Sequence, residues 1–380
     1  MYISCTKARK LLDLLKERKE VFDFDYERDI GGQDLLELIK GRKKVQELLA
    51  LSREAVYQYI PEGVVTARIQ QAMKRLSEKE DTKAYEWASF LENMATMDSA
   101  VAWHIREQLV EKADKDNLLD YNLLAGLAGV DGERAWAIRE QTLAKDKKGR
   151  EAVVASLVGL DSERSWKMRE QIFEADDGVD EENILSIFGL NSDRAWELRD
   201  KVMEGVDGSG SKKSINLENA VLMTTLGIDN ERAWEIRKQA FKPDRHIQVV
   251  SAALMSLAGI DSDQAWIMRY SAIENLEEFS GDDKEDILET LVMSLADIDT
   301  DQAWKIREEA ISKIENKGKV AMALGGLNSE KAWEMRHRFL EQGLFDDQQY
   351  IESINGSFFF AGLKISRKQR VTKLLERNGI

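Results

Sequence analysis

The chain predicts an all-α fold, a right-handed α-solenoid of about eight two-helix repeats with atypical helical caps. Three observations carry this. A small residue followed by Trp, with Arg three residues later, occurs eight times, at Trp103, Trp136, Trp166, Trp196, Trp234, Trp266, Trp304 and Trp333. The copies begin 29 to 38 residues apart, the period of stacked helix pairs. The 380 residues contain two prolines and no long alternation of apolar and polar residues, so nothing argues for strands.

Each unit justifies its own elements in order. The first half, as in Glu151–Val158, is a short apolar helix that stops at a glycine: Gly129, Gly159, Gly189, Gly227, Gly259 or Gly326. Glycine takes the left-handed conformation that caps a helix C-terminus. Thr96 and Asp297 replace it in two units. The next residue is always apolar, and the one after is always Asp or Asn, which reads as the N-cap of a second helix. An acid two residues further on suits the positive end of that helix in seven of the eight units, with Ala100 the exception.

The second helix carries the phrase. Its residues two and seven after the Trp are always apolar, which with the Trp makes a broad stripe on one helix face. The arginines on this stripe are Arg106, Arg139, Arg169, Arg199, Arg237, Arg269, Arg307 and Arg336. Residues 203–215 and 276–284 have loop compositions that account for the longest spacings and place insertions along one edge of the stack.

Flanking segments are less regular. Residues 6–20, 33–57 and 63–77 read as helices, and 84–97 as the first helix of the first unit. Phe358–Arg370 reads as a decayed unit whose turn is Gly362-Leu363 and which has lost its Trp. The predicted organisation is an N-terminal helical cap or small helical domain over 1–83, an eight-unit array over 84–347, and a degenerate capping repeat over 348–380. Over roughly residues 84–378 the chain resembles the α-solenoid class of HEAT, armadillo and tetratricopeptide-like arrays, in its period and its two helices per unit. That resemblance implies a curved surface that binds proteins or peptides.

Composition bounds the function. One cysteine, Cys5, points to a reducing compartment. The N-terminal residues lack the apolar stretch of a signal peptide, and no run reaches the length of a membrane span, so a cytoplasmic protein with no membrane partner is expected. The net charge is −15, yet residues 86–347 alone hold 32 basic and 53 acidic side chains. Such an array repels phosphates and favours basic partners.

Two ladders invite sharper readings. The tryptophans could form a stacking platform, but a large residue repeated on an apolar stripe is first of all core. The arginines could track a phosphate backbone. Their place beside the core favours a strut whose head reaches helix-end carbonyls or the Asp/Asn position. His104, His246 and His337 are scattered and come with no metal-ligand or nucleophile spacing. The expectation is therefore no catalytic residue, no cofactor and no metal. The favoured function is a non-enzymatic scaffold that binds a basic or extended protein segment, with the variable exposed positions Lys167, Glu197, Glu235 and Glu334 as candidate contacts. The alternative is a nucleic-acid-binding solenoid that uses the arginine ladder.

Overall fold

A computed structural model describes residues 62–79, 82–113, 119–145, 147–176, 178–181, 183–206, 210–242, 245–278, 281–314 and 320–356. Among them there is no strand, and the fold is all-helical. The segments 6–20, 33–57 and 358–370 lie outside the described residues.

The helices fall into two rows. The second helices, which carry the Trp phrase, are α3 (Ala100–Ala113), α5 (Glu133–Leu143), α7 (Glu163–Ala175), α8 (Asp193–Met203), α10 (Glu231–Ala240), α12 (Asp263–Glu274), α14 (Asp301–Lys313) and α16 (Glu330–Glu341). The first helices are α2 (Ala84–Glu92), α4 (Leu119–Ala125), α6 (Lys147–Ser156), α9 (Lys212–Thr224), α11 (Ile247–Met255), α13 (Asp282–Met293), α15 (Val320–Ala323) and α17 (Asp347–Asn355). Between α6 and α9 this row contains only a 3₁₀ turn, Asn183–Ile187. Each member of the first row packs directly on the next, whereas second helices pack mainly on first helices. Close packing of neighbours marks the first row as the inner one, on the shorter path.

The turn between the two helices of a unit is the same throughout. Gly129, Gly159, Gly189, Gly227, Gly259 and Gly326 have φ between 72° and 81°, and Thr96 and Asp297 are held at 69° without the freedom of glycine. The following apolar residue donates its N–H to the carbonyl three residues back, as from Leu160 to Leu157 at 3.0 Å. In several units the left-handed residue itself donates outward, to the next unit: Gly189 to Thr224 O at 3.0 Å, Gly259 to Ala296 O at 2.9 Å and Gly326 to Ile354 O at 3.1 Å. The turn therefore joins units as well as ending a helix.

Two expectations are corrected here. The Asp/Asn residue is not the N-cap. That position falls one residue later, on Gly132, Ser162, Ser192, Asn230, Ser262, Thr300 and Ser329. The longest spacings are also not spent on loops alone. Lys212–Ser214 belong to the first turn of the 13-residue α9, capped by the Ser211 side chain, and 282–284 begin the 12-residue α13.

The ends of the array meet. Helix α1 (Glu62–Ser77) packs against α17 and α3. Its Val65 and Ile69 share one apolar cluster with Tyr350, Ile351 and Ile354 of α17 and with Trp87 and Phe90 of α2. Arg75 pairs with Asp347, and the Arg68 guanidinium lies 5.5 Å from the Tyr350 ring centroid. Asn355 Nδ2 donates to Asn93 O at 2.6 Å across 262 residues of sequence. The stack is thus closed on itself, where the sequence suggested an open superhelix with a separate cap at each end. Closure covers apolar faces that two such caps would otherwise have to seal. Gly356, with φ 72°, provides the turn after α17.

Candidate functional site

The repeated phrase builds a joint between units. In all eight copies the indole Nε1–H donates to the Oδ1 of the Asp or Asn five residues earlier, at 2.6–2.8 Å. Asn191 and Asn328 serve as well as Asp because the bond needs only an acceptor. The acceptor also ties neighbouring units in places, as where Ser192 Oγ donates to Asp161 and Ser329 Oγ donates to Asp299. The tryptophans are buried, apart from a half-buried Trp333.

The ladder arginines are among the most deeply buried side chains of the molecule, at 0–1% exposure. Arg169 shows how they are held. Its Nη2 donates to Leu157 O and Leu160 O at the end of its own inner helix, at 2.9 and 2.8 Å, and to Ser186 O of the next inner element at 2.8 Å. Its Nε donates to Ser186 Oγ at 3.2 Å. Arg139 and Ser156, Arg199 and Thr224, Arg237 and Ser256, and Arg269 and Ser294 repeat the pattern. Carbonyls left open at helix C-termini carry partial negative charge, so a guanidinium there is compensated without a carboxylate. Burial pulls Arg169 down to about 9, which leaves it charged at neutral pH. Nη1 of Arg139, Arg199, Arg269 and Arg336 has no hydrogen-bond partner. The guanidinium carbon of each lies 4.6–4.8 Å from its own Trp ring centroid, within cation–π range.

A second arginine row went unread in the sequence. Arg134, Arg164, Arg194 and Arg232, each two residues before its own Trp, lie 4.4–4.8 Å over the ring of the preceding unit's Trp. Each also pairs with an acid of that preceding unit, as Arg164 does with Glu133 and Glu140. Four indoles therefore each lie within cation–π range of two guanidiniums, one buried and one more exposed. The signal was available, as was the Ser/Thr three residues before the turn glycine that receives Nε.

The inner face is where the repeat leaves room for anything else. Ala95, Ala128, Val158, Phe188, Leu226, Ala258 and Ala296, each just before the left-handed residue, form one cluster and are all buried. One helical turn back, the same face shows Leu185, Met223 and Met255, half-buried against that cluster. Glu92 and Glu352 occupy that register on either side of the closure. Burial raises both, with Glu92 and Asp346 adding to Glu352, which is pushed up to about 7. Burial and Glu92 together raise the Tyr121 phenol.

A cavity of about 260 Å³ opens where α4, α6 and the 3₁₀ turn meet. Val154, Ala155, Val158, Leu185 and Phe188 line its apolar side, and Tyr121, Lys147, Glu151, Asp176, Asp180 and Glu181 its polar side. The rim is braced. Arg150 bonds Asp176, and Asp180 and Asn183 exchange backbone-to-side-chain hydrogen bonds at 2.8 and 2.9 Å.

The other sequence-selected residues are not brought together. Lys167, Glu197, Glu235 and Glu334 are exposed on four separate second helices. His104 is exposed, His246 caps α11 by accepting from Gln248 N, and His337 stacks on Tyr350. Among the described residues no group of His, Cys, Asp and Glu could hold a metal, and no helix is long and apolar enough to cross a membrane. No protein-family model, curated protein or solved structure matches the chain.

Proposed function

We propose that this is a non-enzymatic cytoplasmic scaffold whose acidic surface binds a basic, extended protein segment. Its eight units over residues 84–347 would stack in a right-handed sense, with α1 and α17 completing the closed array. The observation that carries the reading is where the charge goes. Eight arginines are buried in the joints, where they donate to carbonyls and hydroxyls, so their heads are out of a partner's reach. With them withdrawn, residues 86–347 keep 24 basic side chains against 53 acidic ones. A surface so unbalanced steers cationic partners and repels phosphates. The nucleic-acid alternative drew on the arginine ladder, whose heads face carbonyls in the interior, and the outer row of Arg134, Arg164, Arg194 and Arg232 is paired with acids.

Titration of the full chain with a lysine- and arginine-rich peptide tests the proposal by calorimetry. Saturable binding that weakens steeply with salt is expected, together with no retention of a DNA or RNA oligonucleotide at low salt. Oligonucleotide binding without peptide binding would overturn it.

A further inference from the structure

The cavity lies where the inner row holds a 3₁₀ turn in place of an α-helix. The 3₁₀ turn has five residues where α6 has 10 and α9 has 13, so helical turns present on both sides are missing between them. Val154, Val158 and Phe188 give it an apolar floor, and Glu151, Glu181 and Tyr121 belong to its polar rim. Building on the scaffold reading above, we propose that this cavity takes one lysine or arginine side chain of the bound segment. The methylene stem would lie on the floor and the cationic head among the rim carboxylates.

Three features select that occupant. About 260 Å³ is below the roughly 300–1,000 Å³ of pockets for drug-sized molecules, which suits one side chain. The apolar floor disfavours a hydrated ion and the acids disfavour an anion, whereas a long basic side chain offers an apolar stem and a charged tip together. The rim also keeps acceptor capacity. Lys147 stands 3.8 Å from Glu151, whose side chain is 41% exposed, and Glu181 accepts one bond, from Asn216 at 3.5 Å.

The test is titration of the full chain, at one salt concentration, with a short peptide that carries a single lysine or arginine. A matched peptide with norleucine in that place keeps the stem and loses the charge. The basic peptide should bind about tenfold or more tightly than the norleucine one, the worth of a charge-assisted hydrogen bond. The Glu151→Gln, Glu181→Gln double variant should lose that preference, and Ala155→Phe, which fills the floor, should weaken the basic peptide. The Gln pair lies on the partly exposed rim, so it gives an answer even if the Phe variant fails to fold. If basic peptides bind the wild type and the Gln pair equally well, the pocket assignment is overturned and the scaffold reading stands. If no basic peptide binds the wild type at all, the scaffold reading falls with it.

Discussion

Replacing Asp161 separates the roles its position could play. Its Oδ1 accepts from Trp166 Nε1 at 2.7 Å and from Ser192 Oγ at 3.1 Å, while the cap of α7 is made by Ser162, which accepts from Ser165 N. Asp161→Ala leaves a largely buried indole N–H without its acceptor, which costs about 1–3 kcal/mol. The Ser192 bond is exposed and adds little. Asp161→Asn keeps the acceptor and loses only a charge that supports Arg169, so it should cost less than about 1 kcal/mol. Urea unfolding followed by both circular dichroism and tryptophan fluorescence measures these differences where the two probes coincide. In a Trp166→Phe background, which has no indole N–H, Asp161→Ala should become milder by about 1 kcal/mol. Strict additivity in that cycle would refute the indole-acceptor role. An Asn variant as damaging as the Ala variant would show that charge, not hydrogen bonding, is what the position supplies.

Other outcomes follow from the same geometry. Arg169→Met strips three carbonyls of their donor, at about 1–3 kcal/mol for each left unsatisfied, and should lower the urea midpoint. A Cβ on Gly126 would fall 2.0 Å from Leu91 O, so Gly126→Ala must push α4 off α2; a melting temperature unchanged from wild type would be inconsistent with that contact. Glu352 is raised from 4.5 to about 7, so the folded state holds its proton more tightly than the unfolded chain does. The stability gained is full below about pH 4.5 and is lost as pH rises through about 7, up to about 3 kcal/mol in all. Glu352→Gln should flatten that part of the stability–pH profile.

Much of the architecture was legible because it rests on local rules repeated eight times. Helix, left-handed glycine and second helix each leave a mark at fixed spacing, and so does the Trp–Arg stripe. The error over Asp161 and its equivalents has a simple origin. A short acceptor just before a helix looks the same in sequence whether it serves a backbone N–H or an indole five residues on. Closure was not legible. It depends on α1 and α17, which lack the phrase, and on a single bond between Asn355 and Asn93 that no periodicity announces. The cavity was invisible for a related reason, since it lies where unit four holds a 3₁₀ turn in place of an inner α-helix.

The meeting of α1 with α17 also bears on how such a chain can change over time. An open array gains or loses a module freely, because each added pair simply extends a ladder whose geometry is set by nearest neighbours. In a closed array the angular step between modules must sum to one full rotation. Duplicating or deleting one module would change the step demanded at every joint at once. An arginine that bridges neighbouring inner helix ends, as Arg169 does, sits within hydrogen-bond distance of both, which leaves little slack to absorb the change. Copy number, free to drift in most solenoids, is here a property of the whole molecule.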